Sequence, residues 1–215
     1  MKQLNNAATQ GNVKMKLKKM KIGNLALIAM LGAVATVLML FEVPLPFLAP
    51  PFYELDFSEV PVLIGTFAMG PIAGITIECI KILLNFVLNG TITAGVGEIG
   101  NLLIGCSFIV PAGIIYNMRK TKKHAVLGMT AGTICMAVMG CVINAYLLLP
   151  AYSNGLNIPM DALVGMGSAI NPLITNVFTF VVFAVAPFNV VKGVVVSVLT
   201  LLLYKRVSIF IKEHH

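Results

Sequence analysis

A chain of 215 residues with 58% hydrophobic and only 11% charged side chains, and a mean hydropathy of +0.94, falls outside the range of soluble globular domains and reads as an all-α integral membrane protein. Its net charge of +7 does not point to nucleic acid, because the basic residues bracket apolar runs and do not line a solvated groove. Cys79, Cys106, Cys135 and Cys141 lie inside those runs without histidine companions or paired spacing, which argues against zinc or a disulfide framework and for buried thiols.

In chain order, residues 1–23 form a basic extension expected at the cytoplasmic membrane surface. It flows into an apolar run without a small-residue cleavage site, so the first span is expected to be retained. Membrane spans are expected at 24–41, 57–70, 71–89, 98–118, 125–149 and 187–204, judged against the roughly 20 apolar residues that a crossing needs. The first carries Ala26, Ala29 and Ala33, a smooth stripe that lets another helix approach closely, either within the bundle or from a partner. The second is short and ends at Gly70-Pro71, a pair suited to a tight break. Residues 42–56 form an external loop, and 150–186 an external or re-entrant connector. Residues 212–215 are a tail.

Charge sets the expected orientation. Of fifteen Lys and Arg, six fall between Lys2 and Lys21, four at Arg119, Lys120, Lys122 and Lys123, and three at Lys205, Arg206 and Lys212. Cytoplasmic loops carry the Lys and Arg excess. Four spans separate the first two clusters and two separate the last two, which keeps all three on one side. The reading is a six-transmembrane-helix bundle with both termini cytoplasmic, in which 170–186, although apolar, does not cross.

Lys81 and Lys192 are left outside these clusters. Lys192 lies just inside the outer end of the last span with Asn189 on the same face, and Pro187 suits a helix start whose free N–H groups can meet a ligand. The fifth span ends in NAYLLLPAY, bringing Asn144 and Tyr146 toward the same surface, while Glu78, Lys81 and Asn85 form one stripe of the third span and Glu98 and Asn101 open the fourth. The loop FLAPPFYELDFSEVP adds Phe52, Tyr53 and Glu54. Each has an ordinary use: snorkelling for Lys192, an internal ion pair for Glu78 and Lys81, a helix-to-helix hydrogen bond for Asn144, an interfacial belt for the aromatics. Their convergence at one depth points to a site for a small, polar-edged aromatic ligand.

Other chemistries find little support. GVGEIG at 95–100 matches a dinucleotide fingerprint only in letters, since it follows no strand of a βαβ unit. There is no phosphate-binding G-x-x-x-x-G-K-[ST] loop, so any ATPase is a partner. The histidines, His124, His214 and His215, lie far from the outer mouth, which leaves no base for a serine nucleophile there.

YELDFSEVPVLIGTFAMGPIAGI (53–75), INAYLLLPAY (143–152) and INPLITNVFTFVVFAVAPFNVVKG (170–193) resemble the riboflavin-specific substrate-binding subunits of energy-coupling factor (ECF) transporters, with P-F-N-x-x-K as the most specific element. The resemblance covers about 24–206. It implies a cell-membrane, multi-pass protein that captures riboflavin from outside, with Asn144, Asn189 and Lys192 hydrogen-bonding the flavin and Tyr53 and its neighbours in a capping loop. It also implies that Ala29 and Ala33 pack on a transmembrane coupling subunit attached to two ATP-binding cassette ATPases. Glu78, Lys81, Asn85 and Asn101 match no specific motif. The flavin is cargo in this reading, with no cofactor and no enzymatic activity; the alternatives are a receptor for thiamine, biotin or another small vitamin, and an intramembrane enzyme acting on lipid.

Overall fold

Glycine and proline divide the polypeptide into helices of very unequal length. The computed structural model describes residues 22–91, 95–155 and 157–213, with side chains as far as 203. α1 (Ile22–Met39) leads into a loop holding a short antiparallel ladder, β1 (Val43–Pro44) against β2 (Glu54–Leu55), with Val43 opposite Leu55 and Pro44 opposite Glu54. α2 (Glu59–Met69) and α3 (Pro71–Asn89) are separated by Gly70 alone. Its φ of 102° is a conformation that glycine adopts without a Cβ penalty, and Pro71 then sits in a first turn where a missing N–H costs nothing. α4 (Val96–Met118) is followed by α5 (Lys122–Gly155), whose start is capped by the Thr121 side chain accepting from the His124 N–H. α6 (Met160–Ser168) is short, and α7 begins at Val177 and runs on to Glu213.

α2 is the hub of the bundle. Its 11 residues rise about 16 Å, roughly half of a bilayer core, yet it packs against α1, α3, α4 and α7. Val62, Leu63 and Phe67 of α2 join Ile77, Phe108, Tyr116 and Met129 in one buried cluster, with the Phe67 and Tyr116 ring centroids 4.5 Å apart. Five other helices, α1, α3, α4, α5 and α7, are long and apolar enough to cross a membrane. Lipid is as apolar as leucine, so close packing holds such helices together. Glycines of α5 permit it: a Cβ on Gly128 would lie 2.6 Å from the Ala112 carbonyl oxygen, and one on Gly132 would collide with that of Phe108. Val34, Leu83, Val87, Ile114 and Val138 point outward as an apolar belt.

The all-helical expectation holds, but the connector differs. Residues 150–186 are largely helical: α5 continues to Gly155, α6 occupies 160–168, and 177–186 forms the first part of α7. The cause is a capping box at Asn176. Its side chain accepts from the Thr179 N–H at 2.9 Å, while Thr179 Oγ1 accepts from the Asn176 N–H at 2.9 Å. Pro187 therefore lies inside a helix and not at its start, and the free N–H groups expected there are absent. A wide π turn at Val181–Val185 precedes it and already departs from regular α hydrogen bonding. α5 has a second π turn at Asn144–Leu148, and the two turns pack together. The basic stretch from Lys2 to Lys21, the side chains of Lys205, Arg206 and Lys212, and the last two residues of the expected tail lie outside the described residues.

Candidate ligand-binding site

The loop between α1 and α2 folds back over the bundle and, with α3, α4, α5, α6 and α7, encloses a cavity of about 450 Å³, within the range of small-molecule sites. Phe52, Tyr53 and Glu54 of the loop, Asn85 of α3, Asn101 of α4, Asn144 of α5, and Asn189 and Lys192 of α7 all line it. Polar side chains facing lipid would be costly, and the cavity gives them an internal destination.

Both deeply buried amides are anchored to their own helices. Asn144 donates from Nδ2 to the Gly140 carbonyl at 2.8 Å and accepts at Oδ1 from the Tyr53 hydroxyl at 2.5 Å, which ties the loop to α5. Burial, followed by the influence of Tyr152 and Cys141, pushes the Tyr53 hydroxyl well above its ordinary pKa, so it remains a donor. Asn189 donates to the Val185 carbonyl at 2.9 Å and reaches α5 because Gly140 has no side chain: a Cβ there would lie 2.6 Å from Asn189 Nδ2. The Cys141 thiol donates to the Val181 carbonyl in the π turn of α7 at 3.2 Å.

Lys192 is held by Asp56, whose Oδ2 accepts from Nζ at 2.7 Å with both side chains buried. Its partner is thus a loop acid and not Asn189, which shares its helix face and donates to the Val185 carbonyl. Asp56 Oδ1 also accepts from the Ser58 N–H at 2.8 Å and from the Ser58 hydroxyl. Burial disfavours charge on Asp56, but Lys192, then Lys81, and the hydrogen bonds from Lys192 and Ser58 outweigh it and hold the carboxyl well below the usual carboxylate range. Asp56 lines the cavity and was missed from sequence. The available signal was that a buried lysine demands a counter-ion, and Asp56 is among the few acids in the loop.

Lys81 sits between Glu59 Oε1 at 2.8 Å and Glu78 Oε1 at 2.7 Å, all three buried. The ion-pair use of Glu78 and Lys81 is thus realised, with a third member from α2. Tyr146 is corrected: it is 82% exposed, because two residues along the helix carry a side chain to roughly the opposite side from Asn144. Tyr152, Phe188 and Ile158 complete the apolar lining. Phe52 and Tyr53 pack at 4.8 Å between centroids, Phe52 and Tyr152 at 5.8 Å, and Tyr53 and Phe188 at 5.5 Å.

Three more acids reach the cavity. Glu98 accepts from the Thr91 hydroxyl at 3.1 Å. Glu42 and Glu54 interact across the ladder, and burial, then the hydrogen bond and charge of Glu54, push the Glu42 carboxyl up to about 8. Among the described residues, no group of three or more His, Cys, Asp or Glu is placed to hold a metal ion. On α1, Ala29 and Ala33 are exposed, while Gly32 is buried against Ile80.

Known proteins share this fold and sequence. The family described as "ECF transporter, substrate-specific component" matches residues 23–204. The chain is 36% identical over 202 residues to "Riboflavin transporter RibU" of Staphylococcus aureus (strain TCH60), covering 94% of this chain and 99% of the relative. It is 32% identical over 195 residues to "Riboflavin transporter FmnP" of Bacillus subtilis (strain 168), covering 90% and 96%. A solved structure described as "Structure and mechanism of the S component of a bacterial ECF transporter" is similar with a TM-score of 0.70 and 36% identity, over 88% of this chain and 98% of that one.

Proposed function

The chain belongs to the substrate-specific components of ECF transporters, and from that premise we propose that it captures riboflavin at the outer end of the bundle for ATP-driven uptake with a separate coupling subunit and two ATPases. The observation that carries the reading is the meeting of Asn144, Asn189 and Lys192, from two helices, with Tyr53 and Phe52 of the loop around one cavity. A flavin is a flat three-ring system with carbonyl and N–H groups along one edge. Amides and an ammonium match that edge, and the aromatic and aliphatic walls match its faces. Asn85, Asn101 and Glu54 supply further polar contacts for the ribityl hydroxyls.

Riboflavin is cargo in this reading, and no group at the site is asked to change it. Counting α2 as a sixth span puts both termini in the cytoplasm, with the 42–56 loop as the external cap. Ala29 and Ala33 are the contact with the coupling subunit, since exposed small side chains let a partner helix come close. The test is absorbance and fluorescence of the purified protein. Bound or added riboflavin with its visible band and quenched emission is the expected result. A colourless preparation that ignores riboflavin and binds thiamine or biotin would overturn it.

A further inference from the structure

Outside the cavity, the bundle holds a charged cluster that ligand capture does not use. Asn85 lines the cavity, and about one turn away along α3 Lys81 stands between Glu59 and Glu78, at 2.8 Å and 2.7 Å, with all three side chains buried. The surroundings do not balance this charge. α1 brings no titratable side chain. The other titratable groups within electrostatic reach are Cys79 and Cys106, thiols that carry no positive charge in either form, and the Asp56–Lys192 pair. Two lysines therefore face three acids, and full ionisation would leave one negative charge uncompensated in the interior.

Hydrogen bonding separates the two glutamates of the cluster. Glu59 opens α2, where the free N–H groups of a first turn favour an anion, and its Oε1 accepts from Lys81 Nζ. Glu78 lies in the middle of α3 without that help. Neither of its oxygens accepts a hydrogen bond among the described residues. A buried carboxylate in that position is costly, and a carboxylic acid far less so.

We propose that the cluster is a proton-binding site: one proton resides on Glu78, which leaves Glu59, Lys81 and Glu78 together electrically neutral. A metal cation fits poorly in its stead, because the ammonium already occupies the space between the two carboxyl groups and would repel it at contact distance. Gly105 gives the acids their room, since a Cβ there would overlap Glu78 Oε1 and lie 3.0 Å from Glu59 Oε1. The proton secures the junction of α2 with α3, just where the cap loop enters the bundle. A rearrangement that admits water to this junction lets Glu78 ionise and release it, so opening is favoured by alkaline pH. None of this depends on which ligand the cavity takes.

Infrared difference spectroscopy of the purified full-length protein tests the proposal. The parent is Glu42→Gln, so that the raised carboxyl of the cap does not contribute. It is compared at neutral pH with the same protein carrying Glu78→Gln or Glu59→Gln. Glutamine copies the shape of a protonated glutamate, so Glu78→Gln should fold. Each substitution is expected to remove one C=O band of a protonated carboxylic acid: the first deletes the holder of the proton, and the second leaves Glu78 as the sole partner of Lys81 within the cluster, so that it ionises. Loss of a carboxylate signal in Glu78→Gln in place of the acid band, or persistence of that band in Glu59→Gln, overturns the proposal. The midpoint of thermal unfolding of the parent should be the same in sodium and in choline buffers of equal ionic strength. A higher midpoint in sodium would identify a metal cation as the neutralising group and overturn it as well. If Glu78→Gln is not recovered, the acid band in Glu59→Gln decides alone.

Discussion

The ammonium of Lys192 lies 2.7 Å from Asp56 Oδ2, a bond between α7 and a loop residue 136 positions earlier in the chain. It fastens the cap to the bundle and fixes the ammonium at the cavity wall. Lys192→Ala strands a buried carboxylate, and Asp56→Ala strands a buried ammonium, so each single change is expected to cost about 3–5 kcal/mol in fold stability or ligand affinity. The double variant should cost less than the sum. A double-mutant cycle on riboflavin affinity and thermal unfolding measures the coupling, and strict additivity would refute the pairing.

The Tyr53 hydroxyl and Asn144 make the second tie between cap and bundle. Tyr53→Phe removes one neutral hydrogen bond and is expected to weaken riboflavin binding severalfold, on the order of 1 kcal/mol. Asn144→Ala leaves the Tyr53 hydroxyl without its acceptor and removes the proposed ligand contact as well, so its loss should be clearly larger. Equilibrium titration of both variants checks the order.

Lys81 bridges two carboxyl groups in the interior of the bundle. Lys81→Met should abolish recovery of monodisperse protein, whereas Glu59→Gln/Glu78→Gln/Lys81→Met, which removes all three ionisable groups together, should restore it. Gly105→Ala should destabilise the same region, because a Cβ there collides with Glu78 Oε1. Size-exclusion chromatography after a heating series reads both effects.

Acid and base act on different groups. Asp56 has a folded-state carboxyl below its ordinary value of 3.8, so its stabilisation is fully present above that value and is lost as pH falls beneath it. Glu42 has the opposite sign: raised from 4.5 to about 8, it favours the folded cap below 4.5 and loses that contribution as pH climbs through 8, a small effect because the residue is exposed and solvent screens it. The midpoint of thermal unfolding should therefore decline between about pH 5 and 8 in the wild type. Glu42→Gln should flatten that decline, and an unchanged slope would count against the raised Glu42 carboxyl.

Much of the site could be read from residue types that apolar segments do not tolerate. Asn144, Asn189 and Lys192 stand out because an amide or ammonium facing lipid is costly, which forces it toward an interior. Asp56 was hidden because its partner is 136 residues away and no local spacing encodes that meeting. Glu78 and Lys81 show their pairing at i, i+3, but Glu59 joins them only once α2 is folded into the centre. The start of α7 was misplaced for a different reason: counting charges locates loops and is blind to helix caps, although the Asn176 and Thr179 spacing was present in the sequence. Tyr146 was misassigned by proximity along the chain, when helical geometry turns it to the opposite side of Asn144.

The two π turns in α5 and α7 have a mechanical consequence. Each inserts one residue relative to a regular helix and so advances every later side chain by about 100°. The part of each helix beyond its π turn is thus set in a different rotational phase from the part before it. A shortening of one residue within 144–148 or 181–185 would leave composition and hydropathy almost untouched, yet it would slip the gearing between these two halves and swing the recognition groups out of step with the cap.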